Sequence, residues 1–463
     1  MAGIGFRLQK ILRDGTYSGS LKAYLYAAAV SSGPWLFTVI SVGILGFFSY
    51  TRFQSETSFL FRTVLVYTFA FSLIITGTLQ MVITRYLSDR FFSRDYDAVL
   101  PTYIYGSAAV TISQSITAWI FYSFTGLDLS SKVAGTILYT AVCNIWMAMI
   151  FLSALRNYRS ILRAFASGSF FSAFAGLFFG IHYGITGLIG GFASGQILIL
   201  VLLSKAVFSE FKLRKNLNRE FFHYFTEYPR LIFIGLFYNL AIWIDKLIFW
   251  FSESTGTNLQ GPFFYSKIYD APMYLAYLSI IPALSLFIIR VETSFYNHYR
   301  DFYGAIQNRL PLRIINEKKN LMTESIFLSI QRLFKVQGAV TAAFIIFSPL
   351  IIKILKMNWD QLPVLRIGAL TAFIHSLLLI LSIIILYFDF RKLCLGTSAL
   401  FLISNALFTM VSIKAGPRYY GYGYFFSAFI TLIISFLLFA LKMRKLEYIT
   451  FMKQPVISRK RPL

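Results

Sequence analysis

Apolar residues fall in long unbroken runs along this chain, with short polar interruptions between them. Twelve runs are long enough to cross a bilayer: residues 23–50, 63–86, 100–124, 133–155, 162–180, 185–203, 231–251, 263–289, 336–354, 364–388, 393–413 and 420–441. A hydrocarbon core of about 30 Å takes about 20 apolar residues as a helix. Every backbone polar group must be satisfied inside such a segment, so each run predicts a helix. Barrel strands would be shorter, alternating and punctuated by turns. The predicted fold class is all-α integral membrane, with about 12 transmembrane helices.

The polar interruptions predict the organisation. Residues 1–22 form an N-terminal amphipathic segment, in which Ile4, Leu8, Ile11 and Leu12 share a face beside Arg7, Lys10 and Arg13. That pattern fits a helix lying on a membrane surface better than a cleavable signal. A six-helix bundle at 23–203 precedes a linker at 204–230. A second six-helix bundle at 231–441 contains an amphipathic loop at 290–335, and a basic tail at 442–463 follows. Within that loop, 326–334 predicts a second interfacial helix ahead of span nine. Two sets of six spans are the usual plan of alternating-access transporters. No sequence repeat links the halves, so the symmetry rests on span count.

Composition supports the membrane assignment: 57% of the 463 residues are hydrophobic, 18% aromatic and only 13% charged. This excludes a disordered chain, a collagen, a disulfide-rich secreted module and an ordinary soluble domain. The net charge of +24 invites a nucleic-acid reading. The placement of the charge argues against one. With the N-terminus inside, and with charges near the span ends counted with the loops they adjoin, 33 of the 43 Lys and Arg fall on the inside, 9 on the outside, and Lys246 deep within a span. That asymmetry predicts a multi-pass protein with both termini cytoplasmic, in contact with membrane lipid and with no nucleic acid.

No catalytic, cofactor or metal site is predicted. The chain has no G-x-x-x-x-G-K-[ST] motif. Asp95-Tyr96-Asp97 is a D-x-D in a short loop, more consistent with a solvated acidic turn than with a metal–nucleotide-sugar site. His375 lies mid-span without a carboxylate in its own span, and reads as packed and hydrogen-bonded rather than catalytic. Cys143 and Cys394 lie within spans and predict buried thiols. Gly187, Gly191 and Gly195 form a ridge suited to close helix contact. Pro34 and Pro282 could each kink a helix.

Charges inside spans are the main functional clue, because each costs about 2.5–3.5 kcal/mol at the bilayer centre on insertion scales. Asp245 and Lys246 lie in the outer half of span seven. Adjacent residues point about 100° apart on a helix, so a Lys246–Asp270 pair across the 7–8 hairpin is expected, with Asp245 facing a cavity. Two readings stand: an ion pair that locks the hairpin, or charges that line a substrate path. Span two carries Gln80, Arg85 and Asp89, the last two spaced for a helix-end ion pair. Asn144 faces either a partner helix or a cavity. Arg290 and Glu292 could gate the inner mouth or snorkel. Trp35, Tyr86, Trp243, Trp250, Tyr269 and Tyr274 could stack on sugar rings, although most aromatics in such a chain pack or face lipid.

Several segments together resemble a known family. They are Met1-Ala2-Gly3-Ile4-Gly5-Phe6, Ser31-Ser32-Gly33-Pro34-Trp35, Thr84-Arg85-Tyr86-Leu87-Ser88-Asp89-Arg90, Trp243-Ile244-Asp245-Lys246, the run Tyr269-Asp270-Ala271-Pro272-Met273-Tyr274-Leu275-Ala276-Tyr277-Leu278, and Val291-Glu292-Thr293-Ser294-Phe295-Tyr296. Their order and spacing resemble the PelG family, inner-membrane transporters of the bacterial Pel exopolysaccharide system. Arg7, where an acidic residue is expected, and Asn297 depart from the pattern. The resemblance implies the multidrug/oligosaccharidyl-lipid/polysaccharide (MOP) flippase fold, two six-helix bundles around a central cavity. It implies export of a partly cationic amino-sugar polymer for the biofilm matrix. It also implies a cytosolic glycosyltransferase as partner, with Pel-type membrane subunits including a cyclic di-GMP sensor. The alternatives are a cation-coupled flippase of lipid-linked oligosaccharides or small amphiphiles, a membrane-embedded transferase using His375, and a non-transporting scaffold that docks the glycosyltransferase through its basic loops.

Overall fold

The computed structural model describes residues 17–53, 55–155, 157–211, 220–290 and 295–452. The predicted interfacial segment at 4–12 and the second half of the basic tail, 453–463, lie outside the described residues, as does the middle of the predicted linker. The apolar runs are helices, as backbone satisfaction without water requires. In chain order these are α1 (Tyr17–Arg52), α2 (Ser55–Phe92), α3 (Val99–Ser123), α4 (Leu129–Leu155), α5 (Tyr158–Glu210), the short α6 (Glu220–Glu227) and α7 (Pro229–Phe251). A two-stranded hairpin, β1 (Thr257–Gln260) and β2 (Phe263–Tyr265), precedes α8 (Asp270–Leu278) and α9 (Ile281–Arg290). Then come α10 (Tyr296–Gln307), α11 (Leu312–Ile354), α12 (Leu362–Tyr387), α13 (Arg391–Ala415), α14 (Tyr422–Arg444) and α15 (Leu446–Met452).

The chain is a multi-pass membrane protein: among the described residues, 10 helical segments are long and apolar enough to cross a bilayer. One of them, α5, holds two predicted spans. Its arms meet at Gly184, where φ is 60° and ψ −133°, a conformation that favours glycine. The arms pack antiparallel along the glycine ridge. A Cβ at Gly191 would fall 2.5 Å from the Ala175 carbonyl, and one at Gly195 2.5 Å from the Gly168 carbonyl. The close contact expected of that ridge is therefore made within α5 itself. Helix α3 covers the predicted third span but is not among the ten, because Ser, Thr and Gln lower its hydropathy. Its hydroxyls turn back onto the helix, as in Thr102 to the Ala98 carbonyl (2.7 Å) and Ser123 to the Trp119 carbonyl (2.7 Å).

Span eight departs from expectation. Residues 263–265 are strand β2, paired antiparallel with β1 through Thr257↔Tyr265 and Asn258↔Phe264. Their apolarity serves packing on protein: Phe263 is fully buried against the rings of Tyr67, Phe121 and Tyr122. The helix that follows is broken between α8 and α9. Pro282 sits in the first turn of α9, where a missing N–H costs nothing. Gln337 of α11 donates to the Ser279 carbonyl at the break, 2.8 Å away. The helix expected at 326–334 is not a separate element. It is continuous with span nine in the 43-residue α11, since no glycine or proline separates the two.

Among the described residues, three large buried clusters hold the structure together, with a small fourth at Ala276, Ile352 and Leu365. One joins α7–α15, another the middle and one end of α2–α5, and a third the opposite end of α2–α5 with Trp250 and Phe263. The chain segments α2 and α7 pack antiparallel and connect these clusters. The end of the molecule carrying β1 and β2 is the hairpin end, and the opposite one, with α6, α10 and α15, is the basic end.

Candidate functional site

The span-seven charges form the centre of a buried polar network. Asp245 is 0% exposed. It accepts from the Tyr269 hydroxyl at 2.6 Å, and both its oxygens lie 3.1 Å from the Lys246 ammonium. Lys246 also donates to the Ile242 carbonyl one turn back, at 3.1 Å. Three rings surround its ammonium: Tyr424 at 5.2 Å, Trp243 at 5.6 Å and Tyr277 at 5.7 Å from the ring centres. Cation–π attraction strengthens when such a charge is desolvated.

Three expectations are corrected here. Lys246 pairs with its neighbour Asp245 and not with Asp270, because its flexible four-carbon stem folds back along the helix. The two side chains therefore do meet despite diverging Cα–Cβ directions. Asp245 faces Tyr269 and Lys246 rather than open space.

Asp270 serves a different contact. Both its oxygens accept from the Trp250 indole N–H at 2.9 Å, and one accepts from the Ser266 N–H at 2.9 Å. This ties the start of α8 to the end of α7. Trp250 in turn stacks on Tyr67 of α2, 4.8 Å between centres and 13° between planes. The Tyr67 hydroxyl donates to the Phe264 carbonyl (3.2 Å) and accepts from the Phe264 N–H (3.1 Å). The hairpin end thus joins α2, α7, β2 and α8.

His375 extends the central network. Tyr238 and Tyr277 hydroxyls lie 3.1 and 3.2 Å from its two ring nitrogens, and Tyr277 also donates to Tyr424. The imidazole is packed and hydrogen-bonded on both sides, as expected. Asn405 of α13 donates to the Ala241 carbonyl at 2.8 Å, fixing α7 against its bundle.

Midway along α2 and α7 the two backbones cross at Gly77 and Gly235. A Cβ at Gly77 would fall 3.1 Å from the Gly235 carbonyl, and one at Gly235 would strike the Gly77 carbonyl. Toward the basic end, Arg85 and Asp89 form the predicted i,i+4 pair at 3.0 Å. The same pair meets the other half of the chain. The Tyr228 ring lies under two guanidiniums, Arg391 at 4.7 Å and Arg85 at 5.6 Å. Tyr224 donates to Asp89 at 3.4 Å, and burial, followed by the Asp89 charge, raises its phenol above the ordinary range. Arg391 is held by Asp389 at 2.5 and 2.8 Å. Arg90 pairs with Asp95 of the D-x-D (2.8 Å) and with Glu220.

The remaining candidates lie apart. Gln80 is exposed on α2. Asn144 is buried between α3 and α4, donating to Thr111 (2.9 Å) and to the Thr140 carbonyl (3.0 Å), so it faces a partner helix. The Arg290 side chain and Glu292 lie outside the described residues. Cys143 and Cys394 are buried free thiols. Sequence reasoning missed Tyr238, Tyr277, Tyr424, Tyr228 and Arg391 as network members. Among 29 tyrosines, only their convergence in space distinguishes them.

Residues 1–451 match the family model for PelG, described as "Putative exopolysaccharide Exporter (EPS-E)". No curated protein matches the sequence. Among solved structures, the chain is similar to a MATE protein in its straight conformation, with a TM-score of 0.68 and 13% identity, covering 92% of this chain and 97% of that one. It is also similar to an outward-facing multidrug resistance MATE family transporter of the MOP superfamily (0.65, 14%, 91% and 96%). A MOP superfamily transporter from Pyrococcus furiosus gives 0.63 at 12% identity, over 91% and 96%. At these identities the likeness is one of fold: the architecture is MATE/MOP-like, as expected.

Proposed function

The chain belongs to the PelG exopolysaccharide-exporter family, and from that premise we propose that it moves a cationic amino-sugar polymer across the bacterial inner membrane. Both termini lie in the cytoplasm in this reading. A cytosolic glycosyltransferase supplies the glycan, and Pel-type membrane subunits, including a cyclic di-GMP sensor, complete a synthase–export complex that feeds the biofilm matrix. No step of bond chemistry is assigned to this chain.

The observation that carries the reading is the buried Asp245 carboxylate beside a cage of three aromatic rings. A carboxylate in a low-dielectric setting attracts an ammonium more strongly than it does in water. Aromatic faces add cation–π attraction and stacking surface for sugar rings. Motion of the two halves about the α2–α7 crossing supplies access from alternate sides.

The test is Asp245→Asn in the native producer, with membrane abundance matched to wild type and amino-sugar polymer quantified outside and inside the cell. Loss of export with an intact complex supports a role in the transport path. Unchanged export would remove Asp245 from it. Collapse of wild-type export when the proton or sodium gradient is dissipated would instead favour a cation-coupled flippase.

A further inference from the structure

The Lys246 ammonium sits where a ligand's ammonium would sit. Three rings and a carboxylate converge on it, the set of groups that recognises alkylammonium ions. Lysine is an imperfect occupant in one respect. The Trp243 indole N–H, in a wall of the same cage, is buried and has no hydrogen-bond partner among the described residues. An ammonium carries only donors, so Lys246 cannot satisfy it. A sugar hydroxyl can. The Lys246 side chain is also the partly accessible member of the pair, 13% exposed against 0% for Asp245. The stem that folds it onto Asp245 has four rotatable carbons, so it can swing out without moving the helix backbone.

We infer that Asp245, Trp243, Tyr277 and Tyr424 form an ammonium-binding site that Lys246 fills as a built-in competitor, and that an amino group of the substrate displaces it. Identifying that substrate as an amino sugar rests on the function proposed above. Competition by a tethered cation keeps the site from holding polymer tightly. Each passing amine replaces one ion pair with another, and Lys246 returns when the amine leaves. A bare carboxylate in the same cage would hold an amine without a competitor to release it.

The experiment empties the cage. Purified full-length Lys246→Ala is titrated with methylammonium, glucosamine and N-acetylglucosamine, read by thermal unfolding and by tryptophan emission. Trp243→Phe in the same background identifies the Trp243 signal. The expected result is a lowered unfolding temperature that methylammonium and glucosamine raise again, with N-acetylglucosamine weaker by at least about tenfold, the difference between a desolvated cation and a neutral amide in such a cage. Adding Asp245→Asn should abolish the rescue. A folded Lys246→Ala protein indifferent to all three compounds overturns the inference, and so does equal binding of glucosamine and N-acetylglucosamine. Rescue by methylammonium without glucosamine leaves the ammonium site standing and overturns the amino-sugar reading. If Lys246→Ala does not fold, Lys246→Met keeps the stem volume. Should that also fail, wild type is titrated with glucosamine: a saturable change in Trp243 emission supports displacement, and none overturns it.

Discussion

The Lys246 ammonium lies 3.1 Å from both carboxylate oxygens of Asp245, the residue immediately before it in α7. Sequence neighbours on a helix seldom pair, and this pair forms because the lysine stem curls back toward Ile242 while rings close around its tip. The burial is unequal, and that inequality sets the order of mutational effects.

Removing Lys246 strands a fully buried carboxylate, whereas removing the Asp245 charge leaves a lysine with some access to solvent. Breaking a buried pair from one side costs about 3–5 kcal/mol, and replacing both members is far milder. Lys246→Met should therefore lower the unfolding temperature more than Asp245→Asn. The double variant Asp245→Asn/Lys246→Met should recover much of the loss. Thermal unfolding of the three detergent-purified proteins measures this, and a double variant worse than Lys246→Met alone would contradict the pairing.

At the hairpin end, one phenol makes two hydrogen bonds to the same residue of β2. Tyr67→Phe keeps the ring that stacks on Trp250 and loses both bonds. The net cost of a hydrogen bond is about 1 kcal/mol, with more where a buried group is left unpaired. Amide hydrogen exchange should accelerate in 257–265 while the rest of α7 keeps its protection. Uniform acceleration along α7 would mean that the ring contact was lost as well.

The Gly77–Gly235 crossing leaves no room for a methyl group. Gly235→Ala should cost about 1–3 kcal/mol, the usual range for overpacking, and push α2 and α7 apart. Export should fall even though no charge has changed. Gly43, where nothing lies within 4 Å of an added Cβ, serves as the control, and Gly43→Ala should be silent.

Tyr228 lies under Arg391 and Arg85, which come from opposite halves of the chain. Exposed cation–π contacts contribute about 0.5–1 kcal/mol each. Tyr228→Ala should loosen the basic end without unfolding it. Maleimide should then label a cysteine introduced at Met81 faster, against a background in which both native cysteines are buried. An unchanged labelling rate would show that the ring does not hold the halves together.

Much of the architecture was legible in the linear pattern. Runs of apolar residues have one solution in lipid, so helices followed directly, and the glycine ridge of 187–195 announced a close helix contact. The errors share a cause. Residues 263–265 are apolar for packing on protein, and 326–334 run without a break into the next helix; hydropathy marks neither the strand nor the continuity. The Lys246–Asp270 pairing failed similarly: helix geometry fixes where Cα–Cβ bonds point, and a long flexible side chain does not have to follow them.

By itself, then, the sequence determined the membrane class, the helical fold, the Arg85–Asp89 pair and the family resemblance, because each depends on local spacing or on composition. Only the tertiary structure decided that Asp245 keeps Lys246, that Asp270 keeps Trp250, and that Tyr277, Tyr424 and His375 join one network. Those partners come from α7, α8, α12 and α14, far apart in the chain. Their meeting is set by how the helices pack, and packing depends on contacts that no single stretch of sequence contains.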